Sequence, residues 1–593
     1  TFQNSRYRQN GVCAGINAVY NLRYACCDTV ESCTLTCDNL TTGFLNVFFN
    51  FFIVEFGELE VLKLNGLAVI LNGNVRDVCK RPGNEAGITV LAHDVGLNLT
   101  ALECDSVAYG TTHPKRVQGS AGAKAYNEIY LLRPEHSKAY RDGDIHIHDF
   151  DFYSLTTTCC QIDILSLFHG GFSTGHGYLR EPNSISSYAA LAAIAIQSNQ
   201  NDQHGGQSIP NFDYGMAEGV AKTYRKAFFR RLKDAVEDYL DLANEADTIK
   251  AVIAAAEETS GEIAKLESAP AFIDAVAKEL CARYDVTDKQ ARKLITRASQ
   301  RAAQKTDRDT QQAMEGFVHN LNTMHSRAGA QTPFSSINYG TDTSPEGRMV
   351  IRNILLALEA GLGHGETCIF PIHIFKVKEG VNYNEGDPNY DLFKLAIRCS
   401  AKRLFPNFSF LDAPFNKKFY REGDYNSEVA YMGCRTRVMA NNYDPAKAVV
   451  CGRGNLSFTS INLPRLAIES NRDFEVFYKK LDAMMDLVAR QLLHRFKIQC
   501  SKKGRNYPFL MGQGIWIDSD NLGPDDSVEE VLKHGTLSIG FIGLAETMKA
   551  LTGKHHGESE TAQNLGIEII SHMRSLCDEA STRYGMNFSL LAT

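Results

Sequence analysis

The chain has 593 residues, with 62 Lys and Arg against 69 Asp and Glu, a formal net charge of −7, and 44% hydrophobic residues. This balance excludes a disordered or collagen-like chain, and it argues against a dedicated nucleic-acid binder, which would carry a basic surplus. At about 100–200 residues per domain, the length allows roughly three to five domains or one large α/β barrel with appendages. No apolar run approaches the ~18 residues of a membrane span. The nearest, over 44–56, is broken by Asn46, Asn50 and Glu55. The start of the chain has neither a basic n-region nor an apolar h-region, so the expectation is a cytoplasmic protein with reduced thiols.

Residues 1–117 form a separate N-terminal segment, poor in charge and rich in cysteine. Cys13, Cys26, Cys27, Cys33 and Cys37 crowd together here without the paired C-x2-C spacing of a zinc ribbon, which favours buried or incidental thiols. A helix is predicted over 121–132. Ile145 and Ile147 then alternate with His146 and His148, the period-2 pattern of a strand. With Asp149 nearby, those histidines are candidate metal ligands, but no third ligand follows at a typical spacing, and hydrogen-bonded structural histidines are the preferred reading.

The stretch 184–198 is apolar on nearly every side, as in a helix buried within a large fold, and residues 202–206 mark a turn. Residues 243–307 read as exposed amphipathic helices, suited to an insertion or a subunit interface. A further helix over 475–499 carries a core stripe of Phe477, Leu481, Met484, Val488, Leu492 and Phe496. Short β-rich runs at 449–451, 458–463 and 537–542 alternate with helices, which predicts α/β layering.

Cysteine is the residue type whose local context suggests chemistry. Cys159 and Cys160 end a β-like run, Cys368 precedes a proline-limited strand, Cys434 sits in a glycine-containing stretch that would suit a loop tip, and Cys451 adjoins a glycine-rich turn. Glycine beside a thiol gives access, and arginine beside it favours thiolate; a buried inert thiol is the alternative for each. No phosphate-binding glycine loop or H-E-x-x-H pair is present. Gly361-Leu-Gly-His-Gly365 reads as a helix stop.

Taken together, several strings resemble the anaerobic (class III) ribonucleoside-triphosphate reductases, a glycyl-radical enzyme family. They are Gly143-Asp-Ile-His-Ile-His-Asp149, Thr157-Thr-Cys-Cys-Gln-Ile-Asp163, Gly171 through Pro182, Gln197 through Gln207, Arg327 through Phe334, Asp387 through Phe393, Met432-Gly-Cys-Arg435, Asn455 through Arg465, and His534 through Glu546. Their order over residues 118–593 is more specific than any one motif. The resemblance implies a ten-stranded α/β barrel with a central finger loop. By position alone, it places a regulatory ATP cone at 1–117.

The same resemblance implies roles. Cys434 matches the loop-tip cysteine that becomes a thiyl radical, and Cys159 the cysteine on the opposite side of the ribose, with Cys160 the alternative within the pair. Asn455 matches the asparagine that hydrogen-bonds the sugar, and Met432 lies beside the thiyl position; both point to the branch that uses formate as co-substrate and reductant. Cys368 and Cys451 match no catalytic position. Implied partners are ribonucleoside triphosphates, ATP and dNTP effectors, a radical-SAM iron–sulfur activating enzyme and a second copy in a homodimer, with neither membrane nor direct nucleic-acid contact. The family also carries a radical glycine and zinc held by two C-x2-C pairs near its C-terminus. The sequence to Thr593 contains no C-x2-C, so no metal ligand or radical glycine is assigned within it, and a truncated or separately encoded C-terminal region is expected. Two other readings are a related glycyl-radical lyase, which would place adjacent cysteines on the loop, and a non-catalytic nucleotide-binding remnant, which would have no radical domain encoded downstream.

Overall fold

The computed structural model describes residues 114–327, 331–433 and 436–593. The cysteine-rich segment, its ATP-cone reading and Cys434 therefore lie outside the described residues.

The chain divides into two compact units. In the first, the described residues are 114–138, 149–153 and 331. The helix expected near 121–132 begins earlier, at Pro114–Tyr126, and continues as a π-helical stretch over Asn127–Leu131. Asn127 is buried, and its side-chain amide donates to the carbonyl of Phe150 at 2.7 Å.

The second unit holds the strands. In chain order they are β1 (Ile145–Ile147), β2 (Cys160–Gln161), β3 (Phe172–Ser173), β4 (Tyr178–Leu179), β5 (Gln207–Ile209) and β6 (Ser335–Tyr339). There follow β7 (Ile372–Val377), β8 (Asn407–Phe410), β9 (Tyr431–Met432), β10 (Thr436–Arg437), β11 (Asn455–Asn462), β12 (Thr536–Ile542) and β13 (Asn587–Ala592). One sheet is all parallel, in the order β2-β5-β6-β7-β8. The other runs β1-β11-β12-β13, with β1 antiparallel to β11 and the remaining pairs parallel.

Parallel neighbours need long crossovers, and helices supply them. The helix α1 (Ile185–Asp202) links β2 to β5; α2 (Phe212–Leu240), α3 (Ala246–Ser260), α4 (Pro270–Arg283) and α5 (Asp288–Thr323) link β5 to β6; α6 (Pro345–Ala360) links β6 to β7. In the second sheet, α7 (Phe474–Cys500) lies between β11 and β12. Every residue of β6 and of β7 is buried, as expected for strands covered on both faces.

The two sheets meet edge to edge. Cys159 N–H donates to Asn455 O at 3.0 Å, Gln161 N–H to Arg453 O at 2.9 Å, and Gly452 N–H to Gln161 O at 2.8 Å. The pairing is antiparallel, so the β2 edge of one sheet joins the chain entering β11 of the other. Neither sheet closes on itself.

Several sequence expectations are refined. The helix at 184–198 starts from a capping box between Ser184 and Ser187 and extends to Asp202. Residues 243–307 do form amphipathic helices, yet they are not a loosely exposed layer: Phe228 and Leu232 of α2 share a buried core with Val252, Phe272, Leu280 and Leu294. Thr287 opens α5 with a second capping box to Gln290. In α7, Met485 rather than Met484 completes the buried stripe of Phe477, Leu481, Val488, Leu492 and Phe496. The run 449–451 is not a strand. Gly452 adopts φ +71°, which turns the chain, and the guanidinium of Arg453 takes the carbonyl of Val449 at 3.0 Å.

Candidate active site

Three of the residues singled out in the sequence converge where the sheets join. Cys159, immediately before β2, is 7% exposed and packs with Met432 and Val438. Its thiol accepts from the backbone N–H of Gly206 at 3.2 Å, while its carbonyl accepts from the side-chain amide of Gln203 at 3.3 Å. A Cβ at Gly206 would meet the Phe334 ring at 3.2 Å and Gly433 N at 3.3 Å, a fit tight enough that these neighbours would have to give way slightly.

Asn455 opens β11 beside a register shift between Asn455 and Ser457, the kind of bulge that re-aims a side chain. Its carbonyl accepts from both Thr158 N–H at 3.1 Å and Cys159 N–H at 3.0 Å. Its Oδ1 accepts from the Ser538 hydroxyl at 3.2 Å, and Ser538 is in turn 2.9 Å from Ser589. An amide whose oxygen is held in this way presents its NH₂ as the remaining donor.

Cys160 takes the other direction, as the next residue of an extended chain does. It is fully buried, and burial pushes its thiol well above the usual range, with the neighbouring Cys451 and Cys159 adding to the effect. Burial also raises the Cys451 thiol; Cys451 sits 3.9 Å from Asn426 and 4.0 Å from Asn211. Cys368 is buried and raised for the same reason. These are environments of inert thiols.

The strands β9 and β10 pair antiparallel, Met432 opposite Thr436, on either side of the undescribed positions 434 and 435. The segment entering this hairpin is held by side chains of the parallel sheet. Gln161 donates to Ala430 O at 3.0 Å, Ser208 to Tyr431 O at 2.8 Å, and Gly433 N–H donates to Ser336 Oγ at 3.0 Å. Asn338 bonds both polar groups of the Tyr431 backbone, donating to its carbonyl at 2.9 Å and accepting from its N–H at 2.8 Å. At the base of the segment, buried Glu428 meets Lys376 at 3.3 Å and Thr341 at 2.7 Å.

Sequence reasoning missed Ser208, Ser336, Asn338 and Ser538. The alternation of Ser336 and Asn338 with Ile337 and Tyr339 is a period-2 signal that would have placed the two polar residues on one strand face. His148 is a bonded structural histidine: its Nε2 lies 2.8 Å from Ser460 Oγ, and its ring stacks on Phe458 at 4.0 Å. No group of three or more His, Cys, Asp or Glu suited to a metal ion occurs among the described residues. Nor, among them, is any helix long and apolar enough to cross a membrane.

A parallel five-stranded sheet joined antiparallel to a second sheet, with a cysteine and an asparagine at the junction and a hairpin drawn across the face, defines an α/β architecture whose sheet junction carries the Cys159 thiol. The family profile described as anaerobic ribonucleoside-triphosphate reductase matches residues 111–593. The chain belongs to this family. Its relatives include the anaerobic ribonucleoside-triphosphate reductase of Salmonella typhimurium, 29% identical over 477 residues, covering 79% of this chain and 57% of the relative. That of Enterobacteria phage T4 is 28% identical over 465 residues, covering 77% of this chain and 64% of the relative. The chain thus spans less than two thirds of the length of these relatives. Among solved structures, the Thermotoga maritima anaerobic ribonucleotide reductase in complex with dATP and CTP superposes with a TM-score of 0.54 at 13% identity, over 89% of this chain and 75% of that one. The two share a fold.

Proposed function

We propose that this chain is the barrel portion of an anaerobic reductase that converts ribonucleoside triphosphates to deoxyribonucleoside triphosphates. The observation that carries the reading is the meeting of Cys159, Asn455 and Met432, which lies two residues before Cys434, at one junction of the fold. The two sheets, of five and four described strands, are taken as parts of a ten-stranded barrel with the 431–437 hairpin as its finger, residues 118–593 forming the catalytic part and residues 1–117 a separate segment in the place of an ATP cone.

The chemistry explains the need for these groups. The 2′-hydroxyl leaves poorly from an unactivated carbon. A thiyl radical at Cys434 takes the 3′-hydrogen, forming S–H and leaving the unpaired electron on C3′; the protonated 2′-hydroxyl then departs as water. Cys159, on the other face of the sugar, gives a hydrogen atom to C2′. The proton for the departing water comes from the 3′-hydroxyl, so C3′ becomes a ketone while Cys159 is left as a thiyl. Formate returns a hydrogen atom to Cys159 and, leaving as carbon dioxide, passes its second electron to the ketone with uptake of a proton. The 3′-hydrogen then returns from Cys434 with recovery of the thiyl. Asn455 holds the sugar hydroxyls through an amide that donates without titrating, and the enclosed site keeps water from the radical. Cys160 stands outside this scheme.

The family's partners complete the proposal: a radical-SAM iron–sulfur activating enzyme, a radical glycine, structural zinc on two C-x2-C pairs, dNTP and ATP effectors, and a homodimer. The test is anaerobic incubation of the full-length protein with activating enzyme, S-adenosylmethionine, a reductant, CTP and labelled formate. Formation of dCTP with labelled carbon dioxide is expected. Activated protein that yields neither product overturns the reading, and dCTP without carbon dioxide removes formate from it.

A further inference from the structure

We propose that Asn338 is a positioning residue that pins the register of the segment carrying Cys434. The proposal rests on the reading of Cys434 as the radical-bearing thiol, but the contacts behind it stand independently.

The segment 428–433 crosses the parallel sheet without joining its backbone ladder. Its contacts come instead from one or two polar side chains on successive strands: Gln161 on β2, Ser208 on β5, Ser336 and Asn338 on β6, and Lys376 on β7. Gln161, Ser208 and Lys376 each reach one residue of the segment and would tolerate a shift along it, and Ser336 reaches groups of two different residues, Gly433 N–H at 3.0 Å and the Tyr431 carbonyl at 3.5 Å. Asn338 differs. Its carboxamide has the donor and acceptor of a peptide unit, and it bonds the N–H and the carbonyl of the same residue, Tyr431, at 2.8 and 2.9 Å. It thereby imitates a neighbouring strand at a single register.

Asn338 is itself fixed. It is fully buried, its backbone lies in β6 opposite Ile374 of β7, and its Nδ2 also reaches Ser208 Oγ at 3.1 Å. A slip of one residue in an extended segment moves every group by about 3.3 Å and exchanges its two faces. Cys434 lies three residues beyond the pinned Tyr431, so such a slip would carry the thiol away from a sugar held by Asn455. Hydrogen-atom transfer tolerates little of this, since a misplacement of about 1 Å can cost roughly a hundredfold in rate.

The test has two arms. In the activated full-length enzyme, Asn338→Ala is expected to lower kcat about a hundredfold while leaving KM for CTP within about twofold. Asn338→Asp removes the donor but restores it when the acid is protonated, so its kcat relative to wild type should rise as pH falls from about 8 to about 6. A purely structural role gives no such pH-dependent rescue. In the second arm, without radical, iodoacetamide labelling of native protein is followed by peptide mass spectrometry. Cys434 should react several-fold faster in Asn338→Ala, with the half-buried Cys281 of α4, remote from this segment, unchanged as the internal reference. Asn338→Ala with kcat within about twofold of wild type, or equal Cys434 labelling in both proteins, overturns the proposal. If wild type reduces no nucleotide, the functional reading fails while the labelling arm still decides the pin. If Asn338→Ala does not fold, Asn338→Asp carries both arms, and a flat pH ratio with unchanged labelling overturns it equally.

Discussion

A Cβ built on Gly454 would stand 1.8 Å from the carbonyl oxygen of Cys159. The two chains touch so closely that the sheets meet through bare backbone, at the point where the candidate thiol and the asparagine lie. Gly454→Ala should therefore part β2 from β11. A loss of about 3 kcal/mol is expected, read as a lowered unfolding midpoint, together with weakened reductase activity. An unchanged midpoint would show that the junction can open without cost.

The two adjacent cysteines should behave differently. Cys159→Ser is expected to abolish deoxynucleotide formation, because the serine O–H bond is too strong to give up a hydrogen atom readily. Cys160→Ser should leave turnover in place and cost roughly 1–3 kcal/mol of stability from a hydroxyl in an apolar setting. Product assays on both variants decide the matter; the reverse outcome exchanges their assignments.

Ser538 holds the oxygen of the Asn455 side chain. In Ser538→Ala that oxygen loses its donor and the amide is free to turn. About a tenfold fall in kcat/KM is expected, the factor that corresponds to the roughly 1.4 kcal/mol of one modest hydrogen bond. Steady-state kinetics with CTP checks it.

Asp342 supplies a pH prediction. Burial, reinforced by Asp213, raises its carboxyl from 3.8 to about 6. The folded state thus binds the proton more tightly than the unfolded chain, so stability from this group is fully present below about pH 4 and is lost as pH rises to about 6. Asp342→Asn removes the cost of ionisation. Above pH 6 it should stabilise by about 1–3 kcal/mol, discounted for partial solvent access, and below pH 4 it should be near neutral. Thermal unfolding at pH 4 and pH 7.5 would reveal the difference, and a gain at the lower pH alone would contradict it.

The sequence was most legible where one element dictates its own pattern. The helix at 475–499 and the alternation at 145–148 follow from spacing, and the buried helix after Ser184 from an apolar run with a cap. Local pattern does not report what lies opposite. Residues 243–307 looked exposed because their apolar faces find partners on one another and on α2, the helix directly before them, which no single helix's pattern reveals. Val449 to Cys451 has strand-forming residues, but the left-handed Gly452 ends any ladder. At the site, Cys159, Cys160, Met432 and Asn455 were found through motif resemblance, and the geometry then set the two cysteines in different environments. Ser208, Ser336 and Asn338 escaped notice because an ordinary Ser or Asn on a strand acquires its importance only from the backbone it meets more than ninety residues later.

A hairpin suspended from side chains, rather than woven into a sheet, separates aim from architecture. Single substitutions on the supporting strands can lengthen, loosen or tilt the reach of the hairpin while the helices and the sheet ladder stay as they are. The scaffold can remain constant while the course of the strands that flank position 434 is tuned.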